Sequence, residues 1–121
     1  MDVSGRPIAL RTIDWRSLFD PKTVAVVGAS ETEGTQQRAQ WIQVRDRLGA
    51  RGARVVPIHP TKEAILGTPA FRSVLDVDGP IDLAIILVRD PIPVLEECVE
   101  KGVGTAVIFA AGFSEIGRAH V

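Results

Sequence analysis

The residues best suited to chemistry form the turn 28–35, Gly-Ala-Ser-Glu-Thr-Glu-Gly-Thr, between a short apolar run and a helix-like pattern. Such a turn directs backbone N–H groups, hydroxyl groups and the positive end of a helix dipole toward one point, which favours a phosphate-bearing ligand. Glu31 and Glu33 carry negative charge there. We expect them to point outward or to cap the first helical turn, and the backbone N–H groups to do most of the binding.

This turn departs from both standard nucleotide loops. The next glycine after Gly28 is Gly34, so G-x-G-x-x-G is absent, and Thr35-Gln36 stands where a Walker A loop has Lys-Ser/Thr. An NAD site also needs an acidic residue at the end of the second strand, where this chain has His59-Pro60-Thr61-Lys62. A cation there suits a phosphorylated ribose, as in NADP or coenzyme A. Lys62 as an ordinary solvated lysine is the equally open alternative.

Apolar runs and helical spacing predict the elements that hold these loops. The predicted strands are Val24–Val27, Arg54–Ile58, Leu83–Val88 and Thr105–Phe109, and the predicted helices are Thr35–Leu48 and the segment opened by Pro91 and ended by Gly102. Their alternation predicts an α/β, Rossmann-like three-layer domain with a parallel sheet and helices on both faces. Ligands of such sheets bind at the carboxyl ends of the strands, so the four loops that follow the strands should form one site.

The remaining patterns predict packing and turns. The inward face of the first helix is predicted to be Trp41, Val44 and Leu48, with Ala39 and Ile42 beside it, and that of the second to be Val94/Leu95, Cys98 and Val99. Residues 61–80 are interpreted as irregular, with Gly67-Thr68-Pro69 and Asp78-Gly79-Pro80 as turns and a short helical piece around Ser73–Val77.

Composition indicates one ordinary globular domain of 121 residues, with 45% apolar and 24% charged residues. A net charge of −1 argues against nucleic acid or an anionic membrane as partner. No apolar run approaches the roughly 20 residues that span a bilayer. The lone Cys98 fits a reducing cytoplasm, and we interpret it as a buried structural thiol. His59 lacks a carboxylate or cysteine partner, so we identify no catalytic or metal-binding set; Arg89-Asp90 either lines the cleft or forms a surface ion pair.

Four segments in this order carry a family resemblance: SLFDPKTVAVVGAS, VVPIHPTKEAILGTPAFRSVLDV, IDLAIILV and EECVEKGVGTAVIFAAGFSEIG. They resemble, over about residues 17–117, the CoA-binding domain of the succinyl-CoA synthetase superfamily, and especially the N-terminal domain of NDP-forming acyl-CoA (acetate–CoA) synthetases. The resemblance implies CoA as ligand. The residues it implies for CoA binding are Gly28, Ser30, Glu31, Thr32, Glu33, Gly34, Lys62, Phe109, Ala110 and Ala111.

Within that resemblance, residues 30–33 wrap the coenzyme, Lys62 takes the place of a CoA-contacting lysine, and residues 109–111 lie beside the coenzyme. A 3′-phosphate on the ribose of CoA also accounts for the missing acidic residue. The chain departs from the family pattern at Gln37, where relatives have a glycine, at His59-Pro60 in place of Asn-Pro, and at Val88-Arg89 in place of Val-Pro.

The resemblance implies a ligase that joins a carboxylic acid to CoA, driven by ATP or GTP with Mg, through an acyl phosphate and a phosphohistidine. Its ATP-grasp and histidine-bearing parts are not in this sequence, so we expect a truncated, non-catalytic fragment. We expect residues 1–16 to be a lead-in, 17–117 the CoA-binding domain and 118–121 a non-native tail, because the end of the chain resembles a translated sequencing adapter.

Three other functions stay open. Small proteins of this fold exist as stand-alone CoA binders without ligase activity, and the same region occurs in protein acetyltransferases. The third is an NADP-binding domain of an oxidoreductase. For the leading hypothesis the expected partners are CoA and the missing ligase and ATP-grasp domains or subunit, with neither nucleic acid nor membrane, in the cytoplasm.

Overall fold

The four apolar runs form one parallel sheet in the computed structural model of this protein, which describes residues 19–109. In chain order the elements are β1 (Thr23–Val27), α1 (Gln36–Gly49), β2 (Arg54–Ile58), β3 (Ala64–Ile65), β4 (Thr68–Pro69), a 3-10 helix (Val74–Asp76), β5 (Leu83–Ile86), α2 (Ile92–Lys101) and β6 (Thr105–Ile108). The order across the sheet is β2-β1-β5-β6. The expectations for residues 1–16, for Ala110 and Ala111, and for 118–121 lie outside the described residues.

β1 and β5 form the centre of the sheet and are buried on both faces, which explains their continuous apolar sequences. β1 pairs in parallel with β2 from Thr23↔Arg54 to Val27↔Ile58. At the amino ends, an Asp82 carboxylate oxygen accepts the N–H groups of Lys22 and Thr23, at 2.8 and 3.1 Å. This contact joins the starts of β1 and β5 and helps to set their register.

The two helices cover opposite faces, so the predicted three-layer α/β architecture is confirmed. Trp41 of α1 is fully buried against Val24 and Val26, while Cys98 of α2 packs in the cluster that contains Ala25 and Val27. Successive β1 residues point to opposite faces, as the strand period of two requires.

Two predicted inward positions are wrong. Val99 is 82% exposed, although its neighbour Cys98 is buried, and Ala39 of α1 is exposed as well. The α2 face that packs against the sheet is narrower than the apolar pattern suggested, and it is centred on Val94, Leu95 and Cys98.

The segment between β2 and β5 contains more regular structure than its sequence suggested. β3 and β4 form a two-residue hairpin whose central residues, Leu66 and Gly67, have φ of 47° and 87°. Positive φ at both positions is typical of a type I′ turn. The predicted short helical piece is present as the 3-10 helix, whose N-cap Ser73 accepts the Leu75 N–H. Within residues 19–109 no helix is long and apolar enough to cross a membrane.

Candidate functional site

The carboxyl ends of β1 and β5 form a crevice, because the chain runs from β1 to β2 on one side and later returns to β5 on the other. Such a change of direction is where parallel sheets bind ligands. A cavity of about 190 Å³ lies there, lined by Val27, Gly28, Ile58, Pro60, Arg72, Val74, Val88, Val94 and Glu97. A second hollow, of about 840 Å³, runs along the flank of α1 from Gly34 to Arg47. Only the first lies at the strand ends.

Gly28 lets the β1–α1 loop turn sharply beside β5. Its φ is +92°, and a Cβ there would lie 3.0 Å from Val88 Cγ1 and 3.2 Å from the Leu87 carbonyl carbon. Its N–H donates to the Ile58 carbonyl at 3.1 Å. A side chain would therefore be both strained and crowded, so glycine keeps the mouth of the crevice narrow.

The loop from Ser30 to Gly34 is ordered by its own hydroxyl groups. The Ser30 Oγ accepts the Thr32 N–H at 3.0 Å, and Thr35 Oγ1 donates to the Thr32 carbonyl at 2.6 Å. Thr35 also caps α1 by accepting the Arg38 N–H at 3.2 Å. No hydrogen bond among residues 19–109 uses the N–H groups of Ser30 or Gly34. The sequence predicted that backbone N–H groups of this loop bind an anion, and these two donors are available for that role.

At the end of β2, His59 organises the loop that carries Lys62. Its Nδ1 accepts the N–H groups of Thr61 at 3.1 Å and Lys62 at 2.9 Å. This geometry leaves the imidazole proton on Nε2. An asparagine side-chain oxygen can accept such N–H groups in the same way. His59 at the position of the family's usual asparagine is therefore structural in this conformation.

Glu31 neither points outward nor caps α1; instead it reaches across to the β3–β4 hairpin. Its Oε2 accepts the Leu66 N–H at 2.7 Å, and its Oε1 lies 3.4 Å from Lys62 Nζ. The Leu66 N–H lowers the pKa of the Glu31 carboxyl most, and Lys62 and His59 lower it further against some desolvation. Glu31 and Lys62, separated by 31 positions in the sequence, thus join the loops that follow β1 and β2.

Arg72 is a candidate binding residue that the sequence reasoning missed. It lines the same cavity as Gly28 and makes no ion pair within the described part of the chain. Its place depends on Phe71, whose backbone pairs with the end of β2 through the Pro57 carbonyl and the His59 N–H. Glu97, which lines the same cavity, accepts a hydrogen bond from the Ser73 hydroxyl at 2.6 Å.

The other predicted residues have different places. Phe109 follows β6, its N–H bonds to the Ile86 carbonyl at 2.8 Å, and its side chain is 42% exposed. Asp90 accepts the Ile92 N–H at 3.4 Å near the start of α2, and no Arg89–Asp90 ion pair is seen within residues 19–109. Burial raises the pKa of the Cys98 thiol, as expected for a structural cysteine. In that same range, no cluster of His, Cys, Asp and Glu could hold a metal ion.

Comparison with known proteins gives a consistent set of relatives. The model of the CoA binding domain family matches residues 22–117. The chain is 44% identical over 116 residues to acetate–CoA ligase (ADP-forming) of Methanocaldococcus jannaschii, covering 94% of this chain and 15% of the ligase. It is 38% identical over 101 residues to 4-hydroxybutyrate–CoA ligase (ADP-forming) of Nitrosopumilus maritimus, covering 82% of this chain and 14% of that ligase.

The fold agrees with a solved structure of related sequence. The apo form of the dinucleotide forming acetyl-coenzyme A synthetase 1 of Candidatus Korarchaeum cryptofilum superposes with a TM-score of 0.72 at 34% identity, covering 86% of this chain and 23% of that one. The chain spans about one seventh of the length of the Methanocaldococcus jannaschii and Nitrosopumilus maritimus ligases.

Proposed function

This chain belongs to the CoA-binding domain family, as its sequence motifs predicted, and on that basis we propose that the crevice at the strand ends binds coenzyme A. The proposal depends on one observation: the strand ends offer groups that suit a phosphate, and they have no acidic side chain placed to bind ribose hydroxyl groups. The backbone N–H groups of Ser30 and Gly34 make no hydrogen bond among residues 19–109. Two cations, Lys62 and Arg72, lie in the segment that follows β2, and Arg72 lines the cavity. At the end of β2 the side chain is His59, which cannot accept the pair of ribose hydroxyl groups that a carboxylate accepts in NAD sites.

We assign the coenzyme's phosphates to distinct groups. The backbone N–H groups of residues 30–34, next to the α1 N-terminus, suit the diphosphate. Lys62 suits the 3′-phosphate, because it is the exposed cation that follows the strand where an NAD site places its acid. The cavity lined by Val27, Ile58 and Val88 supplies apolar contact. Phe109, Ala110 and Ala111 are assigned to the coenzyme by the family resemblance alone.

Calorimetric titration of the purified chain with CoA, dephospho-CoA and NADP tests the assignment. We expect CoA to bind most tightly, and Lys62→Ala to weaken CoA about tenfold while changing dephospho-CoA little, since a charge-assisted hydrogen bond contributes about 1.5 kcal/mol. Lys22→Ala is the matched control, because Lys22 is an exposed lysine at the opposite, amino end of β1. Equal losses for both ligands remove Lys62 as the 3′-phosphate contact. Failure of the unmodified chain to bind CoA contradicts the ligand assignment.

For the whole protein we propose an ADP-forming acyl-CoA ligase of the cytoplasm, in which this region holds CoA. The ATP- or GTP-binding, Mg-dependent and phosphohistidine steps then belong to other domains or to a second subunit. Identities of 38–44% to enzymes named as CoA ligases support this. The genomic reading frame downstream of this region is the test. A histidine-bearing domain and an ATP-grasp domain, in the same reading frame or in a neighbouring gene for a second subunit, support the ligase. A stop codon with no such neighbouring gene, or an acetyltransferase domain, contradicts it.

A further inference from the structure

The contact between Glu31, Leu66 and Lys62 joins the loop that follows β1 to the segment that follows β2. One carboxylate oxygen holds the backbone of the β3–β4 hairpin at Leu66, 2.7 Å away, and the other faces the Lys62 ammonium at 3.4 Å. Of the non-glycine residues described, only Leu66 has a positive φ, of 47°. That conformation is unfavourable for leucine, because its Cβ crowds the following carbonyl oxygen. The hydrogen bond that the Leu66 N–H donates to the Glu31 carboxylate offsets part of this cost at the strained residue itself.

The two halves of this contact differ in strength. The hydrogen bond to Leu66 is short and is the main cause of the lowered pKa of Glu31. The ion pair is longer, and the Lys62 side chain is 56% exposed. Exposed ion pairs of this kind are weak and are screened by salt. An incoming phosphate can therefore take Lys62 while Glu31 stays bonded to Leu66.

We propose that Glu31 is a positioning residue that locks the β3–β4 hairpin to the β1–α1 loop and holds Lys62 beside that loop, while its charge lowers the affinity for phosphate. The inference rests on the proposed function for its ligand, CoA. It changes the role of Glu31 from a group that touches the coenzyme to one that acts through Leu66 and Lys62. Once Lys62 binds a phosphate, the Glu31 carboxylate remains a few ångströms from that phosphate and repels it.

Two substitutions separate the hydrogen bond from the charge. Glu31→Gln keeps an oxygen that can accept the Leu66 N–H but removes the charge, and Glu31→Ala removes both. Glu63→Gln is the matched control, because Glu63 directly follows Lys62 in the chain, is exposed, and its carboxylate makes no hydrogen bond or ion pair within residues 19–109. The full chain is used throughout.

The first measurement uses NMR and needs no ligand. It follows the amide hydrogen exchange of Leu66 and the nuclear Overhauser effect between the Lys62 and Glu31 side chains. We expect a visible contact in the unmodified chain, similar Leu66 exchange in the chain and in Glu31→Gln, and exchange at least tenfold faster in Glu31→Ala. Equal Leu66 exchange in all three proteins, or no contact between the two side chains, overturns the positioning role even if CoA does not bind.

The second measurement is CoA affinity. We expect Glu31→Gln to bind CoA about two- to fivefold more tightly than the unmodified chain at low salt, with the gain disappearing near 1 M salt. Glu31→Ala should bind less tightly than Glu31→Gln, because its hairpin is no longer held. An unchanged affinity in Glu31→Gln, or the same gain in Glu63→Gln, overturns the inference while leaving CoA binding intact. No binding by the unmodified chain overturns both the proposed function and the charge effect inferred here.

Discussion

Replacing Gly28 by alanine tests how closely the β1–α1 loop must approach β5. Two costs add at this position. The backbone φ of +92° is unfavourable for alanine by about 1–2 kcal/mol. The new methyl group would also lie 3.0 Å from Val88 Cγ1 and 3.2 Å from the Leu87 carbonyl carbon. The valine side chain can rotate but the Leu87 backbone cannot, so overpacking adds about 1–3 kcal/mol.

Gly34→Ala is the control that isolates the close approach. Gly34 lies in the same loop with φ of +82°, but a Cβ there meets nothing within 4 Å. We expect Gly34→Ala to lose about 1–2 kcal/mol of the free energy of unfolding, and Gly28→Ala to lose about 2–5 kcal/mol. Urea unfolding followed by circular dichroism measures both losses. In thermal unfolding of a domain of this size, each kcal/mol lost should lower the Tm by roughly 4 °C. Equal losses in the two variants would refute the argument from the contact with β5.

Three further outcomes are expected. Arg72→Ala should weaken CoA binding about three- to tenfold in the same calorimetric assay, since it removes a charge at the cavity wall; the same loss in the exposed Arg51→Ala would show a non-specific charge effect. The buried Cys98 thiol, whose pKa is raised, should react with a thiol reagent at pH 8 far more slowly in the folded chain than in urea; equal rates would contradict its burial. The Leu66 N–H lowers the pKa of the Glu31 carboxyl in the folded state. The stability that this charge supplies is therefore complete above pH 4.5, the ordinary pKa, and is lost as the pH falls through the lowered pKa. The difference in urea midpoint between the chain and Glu31→Gln should therefore shrink between pH 5 and pH 3, and a constant difference would contradict the sign.

The main elements could be predicted from the sequence because their signals are local. The second strand was predicted at its observed bounds, Arg54–Ile58, and the first helix within a residue of Gln36–Gly49. A buried parallel strand needs an uninterrupted apolar run, and a helix start needs a cap such as Thr35. Neither signal depends on which part of the chain packs against it.

The errors fall where packing, and not local pattern, decides. Val99 continues the apolar pattern of α2 but is 82% exposed, because the sheet meets only a narrow stripe of that helix. The β3–β4 hairpin went unrecognised since its turn requires Leu66, an unfavourable residue for positive φ. In the structure the Leu66 N–H of that turn donates to Glu31, 35 residues away, a contact that the local pattern does not indicate.

The sequence by itself determined the α/β class, the glycine-containing turn at residues 28–35 and the lack of an acidic residue directly at the end of β2, because each depends on the order and type of neighbouring residues. Only the tertiary structure decided that Glu31 bonds to Leu66 and pairs with Lys62, that Gly28 lies against Val88 and that Arg72 lines the cavity. Parallel strands bring their carboxyl ends to one edge of the sheet, so residues far apart in the chain become neighbours there. The distances and directions between them depend on how the loops pack on one another, and no local pattern records this.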